Sequence, residues 1–389
     1  MKRAVLVLVS LLPVALAAQD KDPSPPKDHT EVASSIRPSP SPRSEAGSSA
    51  EPGTSTDFGF NQDPNAPQQP SAKPSKSTKP RGEPRPKIPG SMVGYIDDAI
   101  VVSQVRIRFD AAFHNNAPDR AEFFYPQCSC ISGPGPNPLV ADLNFQQLYM
   151  YGEYAPAKRL SFFADVPVRW IQPLSLTEPG TPPLTNEAGV SDVAAGFKLA
   201  ALASSNHYLT FQFQAYFPTG NASTGLGTNH YSVEPALLYY QRVSDRIALE
   251  TQVGDSHPIG GSSCPQPCNT DSTMLKLPNS QGFAGDVFFY GLGSSYVLYR
   301  GENVQIAPAI ELVGWRILGG FVTDNSPAPP TSPNFQQAMS TDGTNIVNLK
   351  VGARTMVGAH SSFYIGYGHQ LTHAVWYKEI VRAEYRYTF

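Results

Sequence analysis

Two short runs carry the side-chain types that hydrolysis needs. Asp255, Ser256 and His257 are consecutive, and His230 is followed by Ser232 and Glu234. A histidine base, a serine nucleophile and an orienting carboxylate act together only when geometry unites them. Neither run lies in a recognisable catalytic motif, so no catalytic residue is assigned, and a hydrolase is the lesser alternative. The four cysteines fall in two pairs, Cys128-Ser-Cys130 and Cys264-Pro-Gln-Pro-Cys268. Four cysteines allow three pairings. A Cys128–Cys130 bridge would be tight and strained, which leaves two cross-loop bonds or a single Cys264–Cys268 bond. Metal ligation is the alternative, since His114, His230, His257, His369 and His373 also fall near the same predicted outer rim. Their spacings fit no zinc pattern, so no metal and no cofactor is expected.

The remaining chemistry is that of a polar conduit. In Val105-Arg-Ile-Arg-Phe-Asp-Ala-Ala-Phe113, Arg106, Arg108 and Asp110 alternate with Val105, Ile107 and Phe109. In an extended strand such residues face opposite sides. The last twelve residues repeat the pattern: Val381, Ala383, Tyr385, Tyr387 and Phe389 on one face, Arg382, Glu384, Arg386 and Thr388 on the other. A charge held against lipid at mid-bilayer costs ~2–4 kcal/mol, so in a membrane barrel the charged face is the lumen. By this register the lumen receives Arg106, Arg108, Arg169, Lys198, Arg242, Arg246, Lys350, Arg354, Arg382 and Arg386. Against them stand Asp110, Glu153, Asp165, Asp192, Glu234, Glu250, Glu311 and Glu384. The signs nearly cancel, which argues against strong ion selectivity. They suit either a network of cross-strand ion pairs or a polar, weakly selective conduit. Arg106, Arg108, Asp165, Arg169, Glu250, Arg354, Arg382 and Glu384 are the pore-lining candidates.

The elements that must position these groups are short alternating strands. They are expected at 101–113, 142–154, 159–171, 189–202, 208–217, 231–242, 246–255, 285–299, 304–318, 345–357, 362–370 and 378–389, about twelve in all. Connections alternate between tight turns and long loops rich in Pro, Gly, Ser and Asn, as periplasmic turns and extracellular loops do. Both termini then lie in the periplasm. The expected fold is all-β: a transmembrane, antiparallel, up-and-down barrel over residues 91–389. Tyr149, Tyr151, Trp170, Tyr239, Tyr240 and Tyr299 are candidates either for interfacial girdles or for lumen filling. Tyr385, Tyr387 and Phe389 form the type of C-terminal signal that barrel-assembly machinery reads.

Ahead of the barrel, Lys2 and Arg3 precede an apolar run and Ala15-Leu-Ala17, the form of a cleaved signal peptide over residues 1–17. Residues 18–90 are rich in Pro, Ser and Lys and poor in large apolar residues, the composition of a disordered periplasmic linker. Its basic end could meet anionic envelope polymers such as peptidoglycan. The formal net charge of −3 gives no case for nucleic acid. The mean hydropathy of −0.26 is compatible with a barrel, whose alternate residues are polar. The expected location is the outer membrane, in contact with lipid and lipopolysaccharide.

Gly189-Val-Ser-Asp192 opening one strand and Phe217-Pro-Thr-Gly220 closing the next resemble a family of outer-membrane proteins, the MetA-pathway of phenol degradation family. Tyr364-Ile-Gly-Tyr-Gly-His369 and the terminal Phe389 are in keeping with it. The resemblance implies a barrel for passive passage of small solutes, often aromatic or hydrophobic, and supplies no catalytic residues. A structural or adhesive surface barrel with a plugged lumen is the alternative.

Overall fold

The computed structural model describes residues 90–118, 123–124, 135–136, 140–176, 185–261, 283–323 and 338–389. Cys128, Cys130, Cys264 and Cys268, the signal segment and residues 18–89 lie outside them. In chain order the strands are β1 (Gln104–Asn115), β2 (Val140–Ala157), β3 (Leu160–Leu176), β4 (Glu187–Val190), β5 (Val193–Ala203), β6 (His207–Phe217), β7 (Tyr231–Arg242) and β8 (Ile247–Ile259). They continue as β9 (Asp286–Tyr296), β10 (Tyr299–Arg300), β11 (Val304–Leu318), β12 (Phe321–Thr323), β13 (Ala338–Ser340), β14 (Asn345–Val357), β15 (Ser361–Gln370) and β16 (Glu379–Thr388). All pairings are antiparallel. β4 and β5 share β3 as a partner and form one stave, and β9 and β10 together flank β11, while β12 and β13 pair only with each other. The result is a closed barrel of twelve staves.

Closure follows the expected seam. β16 pairs with β1 so that Arg108 stands opposite Glu384, Asp110 opposite Arg382 and Arg106 opposite Arg386. The terminal Phe389 N–H donates to the Ser103 carbonyl at 3.0 Å and extends the seam by one bond. A closed sheet leaves no unpaired edge in lipid, the condition any membrane-crossing strand must meet. Among the described residues no helix is long and apolar enough to cross a membrane.

Side-chain alternation sorts the two faces. On β1, Val105, Ile107 and Phe109 are 42%, 53% and 40% exposed on the outer wall, while Gln104 and Asp110 are buried inside. On β15, Phe363, Ile365 and Tyr367 face out, and Ser362 and Tyr364 face in. The apolar belt is the lipid surface of a transmembrane barrel, and the buried polar set belongs to the lumen. Tight turns join β2–β3, β5–β6, β7–β8, β10–β11 and β14–β15, and the alternate connections are long. Gly358 (φ +67°) takes the left-handed position in the β14–β15 turn that a side chain would strain.

One expected strand boundary is corrected. Residues 101–103 do not begin β1. They end a segment, Gly90–Ser103, that folds into the lumen instead of adding to its wall. Strand pairing would have satisfied its backbone; the charged side chains of the wall do so instead.

Candidate functional site: the filled lumen

The lumen strap, residues 90–103, climbs from the tight-turn end of the barrel, bends at Gly94–Ile96 and returns to Ser103. Its two legs are tied by the Ser91 N–H, which donates to Asp98 Oδ2 at 3.3 Å, and by Arg386, which donates to the Ser91 carbonyl at 3.3 Å and to Asp98 Oδ2 at 3.0 Å. At the bend, Glu311 accepts three consecutive amides: Gly94 at 2.8 Å, Tyr95 at 2.8 Å and Ile96 at 2.9 Å. Glu250 accepts from Met92 at 3.2 Å and Gln252 from Asp97 at 2.9 Å. Arg354 donates to the carbonyls of Met92 (3.4 Å) and Val93 (2.9 Å), and Arg382 donates to that of Gly94. Lys198 and Thr210 donate to the carbonyls of Asp98 and Ala99. Bonds to charged partners are worth about 1.5–3 kcal/mol each, against about 1 kcal/mol for neutral ones. The strap is therefore held mainly through its main chain by acidic and basic side chains of the wall.

Shape reinforces the electrostatics. Met92, Val93, Ile96, Ala99 and Ile100 are buried against the wall. β9 offers glycines where they pack: a Cβ at Gly293 would lie 2.9 Å from Val93 Cγ1 and 3.0 Å from Ile96 Cδ1. Two basic groups lie over the Tyr95 ring, Lys350 Nζ at 4.0 Å and the Arg382 guanidinium carbon at 4.1 Å from its centroid.

Beyond the bend, the outer half of the lumen is filled by an apolar cluster borne partly on loops. Phe123 stacks on Trp376 with centroids 4.8 Å apart, and Phe124 lies 5.2 Å from Phe145. Leu143, Ile171, Ile317, Ile346 and Tyr377 complete it. Arg169 caps this cluster from the wall, 4.4 Å from the Phe124 centroid, with its Nε donating to Gln147 at 3.0 Å. Lys350 links cluster to strap, since its Nζ also donates to the Tyr377 hydroxyl at 2.8 Å.

All eight pore-lining candidates project into this interior, but in different settings. Glu250, Arg354 and Arg382 hold the strap directly. Glu384 pairs with Arg354 at 2.9 Å and Arg386 at 3.2 Å, although Arg108 faces it in register. Arg108 instead lies 3.6 Å from Asp110 and covers the Tyr149 ring, as Arg106 covers Tyr151. Tyr149 and Tyr151 thus fill the lumen, while Trp170 and Tyr299 face outward. Asp165 lies on the lumen face of β3, paired in register with Tyr151 and Ala194. Arg382 binds Asp110 through two bonds of 2.7 Å, and Lys198 binds Glu153 at 3.3 Å. Three residues assigned to the lumen by register are corrected to the barrel ends. Arg242 pairs with Asp245 within a turn, Arg246 bonds the Tyr296 hydroxyl, and Asp192 caps a loop. Each sits at a strand terminus, where the two-residue period no longer fixes the face. The strap itself was missed; its one sequence signal is the break in alternation at Asp97-Asp98.

The hydrolytic runs are not assembled. Asp255, Ser256 and His257 are consecutive on β8, so Ser256 points to the face opposite its neighbours. His257 Nδ1 meets Asp286 at 2.7 Å and His114 Nδ1 meets Asp142 at 2.9 Å, at separate points of the outer rim. His230 Nδ1 lies 2.9 Å from the Thr228 carbonyl. Among the described residues no three His, Cys, Asp or Glu side chains come together as a metal site.

The two strand-end motifs lock onto each other. Asp192 accepts from the Gly220 N–H at 3.0 Å, the Thr228 N–H at 2.7 Å and the Thr228 hydroxyl at 2.8 Å. Thr219 donates its hydroxyl to the Ser191 carbonyl and accepts from the Val193 N–H, both at 2.9 Å. They fasten the loop between β6 and β7 to the start of β5.

Among solved structures, the chain is similar to an outer membrane channel from Pseudomonas putida F1, at 14% identity and a TM-score of 0.46 over 74% of this chain and 96% of that one. It is also similar to the β-domain of the Bordetella autotransporter Brka, at 13% identity and a TM-score of 0.41 over 74% of this chain and 100% of that one. The KdgM porin matches at 9% identity and a TM-score of 0.34, over 74% and 99% of the two chains. No curated protein matches the sequence. Residues 159–254, from the β2–β3 turn through most of β8 and including both interlocked motifs, match the family described as "Putative MetA-pathway of phenol degradation", which bears out the resemblance those motifs carry.

Proposed function

We propose that the protein is an outer-membrane channel for passive passage of small solutes, closed at rest by its own strap. The observation that carries this reading is what fills the barrel. Its inner half is occupied, beside the staves' own side chains, by a segment outside the wall that is held by hydrogen bonds that can exchange. With the strap withdrawn and the loop-borne aromatics Phe123, Phe124 and Trp376 moved aside, Arg106, Arg108, Asp165, Glu250, Arg354, Arg382 and Glu384 would line the path, with Arg169 at its outer end. The two basic groups over the Tyr95 ring favour solutes that carry an aromatic ring, since a cation over a ring contributes about 0.5–2 kcal/mol.

Export by a cleaved signal peptide, contact with lipopolysaccharide, and recognition of Tyr385, Tyr387 and Phe389 by the barrel-assembly machinery belong to the same reading. So does contact of the basic linker with peptidoglycan. A second reading, a surface barrel with a permanently filled lumen, is favoured by how fully the wall satisfies the strap's backbone. Planar-bilayer conductance of the wild-type protein and of a variant lacking residues 90–98 separates the two. The channel reading expects small, infrequent openings in the first and larger, more frequent ones in the second. A variant that folds and still never conducts would overturn it.

A further inference from the structure

We propose that the inner wall of the barrel is a receptor for a bent peptide segment read through its backbone, so that the vacated lumen binds a free peptide with a glycine at one fixed position. The recognition is divided between two faces. Staves β8 and β11 present acceptors, Glu250, Gln252 and Glu311, to the amides of Met92, Gly94, Tyr95, Ile96 and Asp97. Staves β14 and β16 present donors, Arg354, Arg382 and Arg386, to the carbonyls of Ser91, Met92, Val93 and Gly94. Four consecutive carbonyls and a run of amides are thus read from two neighbouring arcs of the wall, by side chains in place of a neighbouring backbone.

Such a site discriminates by main-chain geometry more than by side chain. Its sharpest side-chain requirement is negative: a Cβ at Gly94 would run into the Tyr364 ring, so only glycine passes there. The apolar contacts of Val93 and Ile96 with the glycine-lined β9 face add affinity without fixing register. The ligand class is therefore a short peptide that bends at an internal glycine, of which residues 90–103 are the resident copy. The inference stands apart from the channel reading, because binding needs no conduction.

The test uses a synthetic peptide of residues 90–103 and two receivers in detergent: the full chain lacking residues 90–98, and the full chain carrying Gly94→Pro and Ile96→Pro. The second keeps every wall residue and unseats its own strap, so a folding failure of the first does not end the experiment. Fluorescence anisotropy of the labelled peptide reads binding. The expected result is saturable binding to a folded receiver. It should weaken at least tenfold when the amides of Gly94, Tyr95 and Ile96 are N-methylated, and tenfold again for the Gly94→Ala peptide. Alanine at Met92 and Ile100 should change affinity by less than fivefold. Absence of binding to folded receivers, or equal binding of the N-methylated peptide, overturns the proposal. Conductance recorded in parallel separates the two ideas. An open, conducting variant that ignores the peptide sinks the receptor alone, and a non-conducting variant that binds it sinks the channel alone.

Discussion

Asp192 accepts the backbone N–H of Gly220 at 3.0 Å, joining the entrance of β5 to the exit of β6. The same carboxylate takes the N–H and hydroxyl of Thr228, so one buried side chain anchors both ends of the 218–230 loop. Replacing Asp192 by alanine strands two backbone donors in a half-buried setting. The expected cost is about 2–4 kcal/mol, from unpaired donors at about 1–3 kcal/mol each. It should be read as a lower midpoint for conversion of the compact to the unfolded band on heated gels. Asp192→Asn, which keeps an acceptor, should lose about half as much. An unchanged midpoint for the alanine variant would remove the anchoring role.

This anchor also marks how far the sequence is legible. Strand existence and facing could be read because a barrel wall obeys one local rule, period two, over each stave. The seam of Arg108 with Glu384 and of Asp110 with Arg382 follows from that rule and from closure. The strap does not follow. Its partners Glu311 and Arg354 lie more than 200 positions away in the chain, and spacing carries no trace of such contacts. Its apolar residues, Val93, Ile96, Ile100 and Val101, also resemble an early start to β1. Side chains at strand ends such as Asp192 and Arg242 escape the rule for a different reason: the chain turns there and the two faces cease to be distinct.

His230 gives the same loop a pH dependence. Burial pushes its imidazole below the ordinary histidine value, while the Thr228 carbonyl beside Nδ1 and the Asp192 carboxylate oppose that shift. The neutral ring is therefore the folded form. An unfolded histidine takes up a proton near pH 6.5, so below that the open loop binds more protons than the closed one. Loop stability falls with decreasing pH, by at most about 1.4 kcal/mol per pH unit from this one group. Amide exchange of residues 221–229, after correction for intrinsic rates, should quicken from neutral to mildly acid pH. His230→Gln should flatten the trend, and a slope that survives the substitution would assign it elsewhere.

Gly293 controls how tightly the strap seats. A valine there forces its Cβ against Val93 and Ile96, which touch it from the strap side. Overpacking of this kind costs about 1–3 kcal/mol. The strap can yield while the paired wall cannot, so the cost falls on strap occupancy. Protection of the Gly94, Tyr95 and Ile96 amides should drop on the order of tenfold to a hundredfold, with wall amides of β9 and β11 unchanged. Glu311→Gln should act on the same three amides by weakening their acceptor. Equal loss of protection across the wall would mean that the barrel itself had loosened.

The Arg382–Asp110 pair tests what holds the first and last staves together. Two bonds of 2.7 Å join them within the lumen, and both side chains are buried. Removing Asp110 leaves Arg382 an uncompensated buried charge, and removing Arg382 leaves Asp110 only Arg108 at 3.6 Å; breaking a buried pair costs about 3–5 kcal/mol. Arg382 would also leave the Gly94 carbonyl of the strap without its donor, so Arg382→Met should be the worse of the two single changes. Removing both charges, as Arg382→Met with Asp110→Leu, abolishes the mismatch between the two and leaves Arg108 on the Tyr149 ring, and apolar replacements of buried pairs are often near neutral. The double variant should therefore recover about 2 kcal/mol or more relative to the sum of the singles, a coupling within the range for contacting residues. Urea titration of folded protein in lipid vesicles measures all four corners of that cycle. Strict additivity would mean that the pair contributes nothing to closing the seam, leaving the β1–β16 backbone ladder to close it alone.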